Sequence, residues 1–163
     1  MLGEFPEWRK YLFTEYHVHS NHNPWPQRTV RDERFKLIHN PLAGEVNPGY
    51  AFTLGKKFFK TPESELMAAA SETVRAAYRL MKRPPLYELY DLQKDPYEFN
   101  NMADEPSLAK TRSRLVAELK RWQKESGDAL KHRSAARRLF GMIQNAGTAE
   151  REALDYKPFM QLP

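Results

Sequence analysis

The tightest constraint on the fold lies at Arg83-Pro84-Pro85, where a helix cannot continue, and in the run that follows, LYELYDLQKDPYEFNN. In residues 86–92, apolar side chains occupy both alternating sets: Leu86, Tyr90 and Leu92 on one, Tyr87 and Leu89 on the other. A strand of that kind is predicted to be central in its sheet and covered on both faces. Asp95-Pro96 then opens a turn. The carboxylate can bond the backbone two residues on, the proline fixes φ, and Asn100 or Asn101 suits a left-handed conformation. Residues 98–102 read as one helical turn. A longer helix is expected to begin within 104–107. Its stripe is Leu108, Leu115, Leu119 and Trp122, with Val116 alongside and Lys and Arg opposite, and it stops near Gly127.

Upstream, residues 10–17, KYLFTEYH, are rich in aromatics and read as a strand. Residues 20–27, SNHNPWPQ, hold two prolines and read as a loop. RTVRD (28–32) and FKLIH (35–39) read as short strands joined by a hairpin turn at Asp32-Glu33-Arg34. Residues 40–60 are expected to be an extended excursion. Thr61-Pro62, with Glu63 and Glu65 behind, predicts a capped helix start, and helical spacing carries that helix to about Met81.

Composition limits the function classes. The chain has 163 residues, enough for one domain with a modest core. No apolar run approaches the roughly 20 residues of a membrane-spanning helix. The N-terminus lacks the apolar stretch of a secretory signal. There is no cysteine, which removes disulfides, thiolate metal sites and cysteine nucleophiles. A net charge of +5 allows a polyanionic partner or a slightly basic solvated surface. The cations cluster at Lys56, Lys57 and Lys60 and at Arg133, Arg137 and Arg138. Phosphate-binding glycine loops, G-x-S-x-G and H-E-x-x-H are all absent.

Three constellations could carry chemistry. The first is Glu15, His17, His19 and His22. Alternation along a strand puts Glu15, His17 and His19 on one face. They could ligate a metal, donate to the anionic oxygens of a substrate, or simply form a polar strand end. The second is Arg28 with Arg31. A guanidinium fork suits sulfate, phosphate or carboxylate, but an ion pair to Asp32, Glu33 or Glu88 is the plainer reading. The third is Asp91, Asp95, Glu98, Asn100 and Asn101. Their spacing does not fit a calcium loop of the EF-hand kind, and turn-making is the better account.

Taken in order, FTEYHVH, P-x-R-x-V-R, FKLIHN and ELYDLQKDPYEFNNMADEP, closed by a helix ending LKRWQ, resemble the C-terminal subdomain of sulfatases. The likeness is to the heparan N-sulfatase (sulfamidase) branch, over residues 1–128. Residues 129–163 remain as a tail with a basic amphipathic helix over 134–144 and an extended end. The resemblance implies an α+β subdomain: a small antiparallel sheet of about four strands with a helix packed on it, part of an alkaline-phosphatase-like fold. It also implies a catalytic N-terminal part holding formylglycine and a divalent metal, usually calcium. No C/S-x-P-S-R motif occurs in this chain, and Met1-Leu2-Gly3-Glu4 resembles the middle of a family segment.

The expectation is therefore a sulfatase region that is not catalytic alone. Its partners would be the catalytic N-terminal part and a sulfated glycan, with no nucleic acid and no membrane. Localisation would follow the family: periplasmic, secreted or lysosomal. By the same resemblance, Glu15, His17, His19, His22 and Arg28 fall on the rim of the substrate pocket. The alternative is a non-enzymatic module binding sulfated glycans through Arg28, Lys56, Lys57 and the histidines. If the sheet face that meets the catalytic half lay open, Trp8, Tyr11, Phe13 and Trp25 would be its apolar residues.

Overall fold

Four strands form one antiparallel meander in the order β1-β2-β3-β4: β1 Leu12–His19, β2 Asn23–Arg31, β3 Phe35–His39 and β4 Tyr87–Asp91. The structure is a computed structural model; it describes residues 9–19, 23–54 and 61–146, and for His19 and Asn23 the backbone only. Between β3 and β4 lie α1 Pro48–Leu54, α2 Glu63–Ala69 and α3 Glu72–Lys82. After β4, a 3-10 turn at Pro106–Leu108 leads into α4 Ala109–Glu125, and α5 Arg133–Asn145 follows. The class is the α+β arrangement expected, an antiparallel sheet with a helix packed on it.

The α4 stripe makes the main core. Leu115 and Leu119 meet Val30, Leu37 and Leu89, one from each of three neighbouring strands, and all five are at most 1% exposed. Burying each such side chain contributes about 1.5–3 kcal/mol. Phe13 on β1 stacks on Trp122, with rings 5.4 Å apart and nearly parallel. α5 covers the other end of β1 and β2. Its Ala136 lies against Trp25 and Leu42, and Phe140 meets the Trp25 ring edge-on at 6.3 Å. Leu139 and Ile143 pack with Leu130, and Val18 joins them. Phe13 and Trp25 are thus core residues rather than an open face; Tyr11 is half-buried against the same core, and Trp8 lies outside the described residues. The exposed apolar side chains of β1 are Leu12 and Tyr16 instead.

The strands depart from expectation in two places. β2 begins at Asn23, inside the segment read as a loop. Proline is tolerated there because β3 pairs only with Arg28–Arg31. At Pro24 and Pro26 the strand has β1 as its sole partner, and a register shift lies between Tyr16 and Val18. A missing N–H is acceptable at such an edge or bulge. β4, expected to be central, is an edge strand. It is nevertheless covered on both faces, with Glu88, Leu89, Tyr90 and Asp91 all buried. Its open edge is closed by the chain folding back. Leu89 N–H donates to Asn101 Oδ1 at 2.9 Å, and Met102 N–H donates to Leu89 C=O at 2.8 Å. An edge covered this way offers no free ladder for another strand.

The helices differ as well. The single helix expected from Thr61 to Met81 is two, because Ala70 is extended and Ser71 caps α3, its hydroxyl accepting from Val74 N–H. Arg75 then donates to the Ala70 carbonyl that the break leaves over. The expected excursion contains α1, with Asn47 Oδ1 accepting from Gly49 N–H at its start. No helical turn forms at 98–102, and the left-handed residue is Glu98, φ 59°, rather than an asparagine. Its side chain is held by Lys36 Nζ at 2.7 Å. The Asp32 turn forms as read: its carboxylate accepts from Arg34 N–H and Phe35 N–H.

Candidate functional site

Antiparallel register aligns Glu15, Arg28, His39 and Tyr87 as one row across the sheet. The next row, Phe13, Val30, Leu37 and Leu89, is the apolar core under α4. One face of the sheet therefore changes from apolar to polar within two residues, toward the β1–β2 connection. That change creates an electrostatic problem, since Arg28 is only 1% exposed.

Asp128 solves it. The Arg28 fork donates Nε to Oδ2 at 2.8 Å and Nη2 to Oδ1 at 2.5 Å. Nη1 reaches the carbonyls of Gln27 and Tyr16 at 2.8 and 3.3 Å. Asp128 also accepts from Gln123 Nε2 and from Leu130 N–H, each at 3.0 Å. Burial alone would raise the Asp128 carboxyl, but Arg28 and these donors outweigh it and hold the carboxyl below the usual range. The pair is bidentate and saturated, which is the arrangement a buried ion pair needs.

Around this pair sit two imidazoles. His39 lies against the Tyr87 ring at 5.3 Å, and its Nδ1 is buried without a hydrogen-bond partner. Burial, followed by the Arg28 charge, pushes it down to about 4. His17 is shifted down too, by burial and Arg28, against the pull of Glu15 and Asp128. Both imidazoles are neutral at pH 7. His17 Nε2 lies 3.5 Å from Glu15 Oε2, a contact that is electrostatic rather than a hydrogen bond, since Nε2 has no partner of suitable geometry. Glu15 is about half exposed and stands 3.8 Å from Arg28 Nε.

Of the residues singled out from sequence, the structure brings together Glu15, His17 and Arg28. The backbone of His19 pairs with Asn23 at the end of the hairpin, and His22 lies outside the described residues. Arg28 faces inward with its fork occupied, while Glu15 is the exposed member. Sequence reasoning missed His39 and Asp128. His39 could have been found from the alternation Phe35, Leu37, His39. Asp128 carries no local signal beyond following Gly127, whose φ of 66° ends α4. Among the described residues, no three His, Asp or Glu side chains converge as metal ligands. The basic cluster on α5 is tied down: Arg133 and Arg137 both bind Glu45, and Arg133 also donates to the Pro41 and Ala43 carbonyls. Lys56, Lys57 and Lys60 lie outside the described residues. No helix among the described residues is long and apolar enough to cross a membrane.

No protein-family model matches the chain. Two curated sulfatases are homologous to it in sequence, consistent with a sulfatase C-terminal region. One is the Ulvan-active sulfatase of Formosa agariphila, 30% identical over 129 residues, which are 71% of this chain and 22% of that protein. The other is human N-sulphoglucosamine sulphohydrolase, 27% identical over 128 residues, 76% of this chain and 24% of that protein. The chain thus spans about a fifth to a quarter of the length of the curated relatives it matches. A solved 2-O GAG sulfatase superposes on 76% of this chain and 18% of its own, with 22% identity and a TM-score of 0.45.

Proposed function

We propose that this region completes a sulfatase fold and lends the substrate rim a hydroxyl-reading edge at the β1–β2 connection, without catalysing desulfation by itself. The observation that supports this most is the row of Glu15, Arg28 and His39, with His17 beside it. Arg28 is neutralised by Asp128, and both imidazoles are neutral. An exposed carboxylate beside a neutral imidazole can accept and donate hydrogen bonds to sugar hydroxyls. Arg28 acts here as a positioning residue that fixes β1 against the turn at Asp128. Glu15 and the partly exposed imidazole of His17 are the groups offered to a glycan, and His19 and His22 are proposed with them from the sequence alone. The names of the two relatives, an Ulvan-active sulfatase and an N-sulphoglucosamine sulphohydrolase, support a sulfated glycan as the substrate class.

The reactive centre belongs to the catalytic part. The formylglycine and calcium implied by the family do not fit the residues present. There is no cysteine, no serine precedes x-Pro-Ser-Arg, and the described side chains form no ligand cluster.

The test joins this chain to a sulfatase catalytic part in place of that enzyme's own C-terminal region. The chimera is expected to turn over a sulfated oligosaccharide, and the chain alone is not. Glu15→Gln and His17→Ala should raise KM about tenfold and leave kcat nearly unchanged. Turnover by the isolated chain, or a KM indifferent to both substitutions, would sink the proposal.

A further inference from the structure

At the other end of β1 the chain forms a cleft of about 1000 Å³ beside the β2–β3 hairpin. Along β1, Leu12 in its lining stands three residues from Glu15 and five from His17, roughly 10–17 Å of strand. Its lining includes five cations, Arg9, Lys10, Arg31, Arg34 and Arg114, against Asp32 and Glu33.

Two of those cations are held by the fold. Arg34 forks onto Asp91 through Nε at 3.1 Å and Nη2 at 2.6 Å. Arg114 donates to Asp32 Oδ2 at 2.6 Å and to the Tyr11 hydroxyl at 2.9 Å. Asp32 spends its other oxygen on the turn amides of Arg34 and Phe35. Arg9, Lys10 and Arg31 are exposed and have no carboxylate partner among the described residues; Arg31 reaches only the Asp32 carbonyl at 3.4 Å. Leu12, about half exposed, and Phe35 supply apolar surface between them.

We infer that this cleft is a second binding site, for a sulfated sugar segment. The three cations without a carboxylate partner among the described residues, of which Lys10 also lies over the Tyr11 ring at 5.6 Å, fit sulfate groups; Leu12 and Phe35 fit the apolar faces of pyranose rings, and Glu33 fits a ring hydroxyl. A uniform phosphate track would not be served by a carboxylate in the lining, and this mixture favours an oligosaccharide over a nucleic acid. The volume lies at the upper end of small-ligand pockets and suits a few sugar rings. The choice of a sulfated sugar among polyanions rests on the sulfatase reading above; the cleft itself does not.

The test is a calorimetric titration of the full chain with a heparin tetrasaccharide at 150 mM salt. The same tetrasaccharide stripped of sulfate and an oligo(dT) of equal charge serve as comparisons. The sulfated sugar is expected to bind, and the triple substitution R9Q/K10Q/R31Q to weaken it by about tenfold or more and flatten its salt dependence. All three positions are exposed, and an unchanged thermal midpoint confirms that the variant is folded. Absence of binding, a triple variant that binds as tightly as the native chain, or oligo(dT) binding equal to the heparin tetrasaccharide would each overturn the inference. Failure of the cleft is read from the R9Q/K10Q/R31Q titration and failure of the rim from the KM of the Glu15→Gln and His17→Ala chimeras, so the two are distinguished.

Discussion

Replacing Asp128 with alanine strands a guanidinium that is 1% exposed. Two of its four hydrogen bonds go with the carboxylate, and the two to the Gln27 and Tyr16 carbonyls remain. Neither of those carries a compensating charge. Breaking a buried pair from one side costs about 3–5 kcal/mol. For a domain of this size a urea slope near 2 kcal/mol/M turns that cost into a midpoint about 2 M lower, with the slope itself unchanged. Asp128→Asn keeps the shape and the bond to Nε but loses the charge, and belongs between the native chain and Asp128→Ala. The informative partner is the double variant Arg28→Met with Asp128→Leu. If the cost lies in the unpaired charge, the double variant recovers to within about 1 kcal/mol of the native chain. A loss below 1 kcal/mol for Asp128→Ala, or a double variant as unstable as the single one, would refute the assignment of Asp128 as the neutralising partner.

Acid should destabilise the chain before its carboxylates titrate. Unfolded His39 takes up a proton near pH 6.5, whereas in the fold it does so only at about 4. Between those values the unfolded state binds more protons, so stability falls with pH by up to about 3 kcal/mol and then levels off. His17 adds to the slope with the same sign. Urea midpoints at pH 7.5, 5.5 and 4.5 check this; His39→Phe should lessen the slope, and midpoints that do not move between pH 7.5 and 4.5 would contradict it. Separately, Asn101→Ala removes the acceptor shared by Leu89 N–H and Ala103 N–H. A cost of about 1–3 kcal/mol and faster amide exchange at Leu89 are expected, the former from the urea midpoint and the latter by NMR.

The meander and the α4 stripe were readable because each rests on a local period. Val30, Leu37, Leu89, Leu115 and Leu119 all follow alternation or helical spacing, and all are core. The hairpin turn at Asp32 was readable because an aspartate bonding backbone amides is a short-range device. What escaped was set by partners distant in sequence. Pro24 and Pro26 sit in a strand because β3 ends its pairing at Arg28, which no proline rule contains. β4 looked central because its outer edge is covered by Asn101 and Met102, a cover that mimics a neighbouring strand. Arg28 was recognised as a residue with a purpose, but its nearby carboxylates Asp32 and Glu33 were the obvious partners and the true one stands 100 residues away.

That separation orders events during synthesis. Strands β1, β2 and β3 are all synthesised once residue 39 has left the ribosome, yet the arginine they enclose has only the half-exposed Glu15, 3.8 Å from its Nε, as counter-charge until residue 128 follows. The turn between α4 and α5 supplies the buried carboxylate that the row of Glu15, Arg28 and His39 lacks, so the polar end of the first hairpin is completed from far along the sequence.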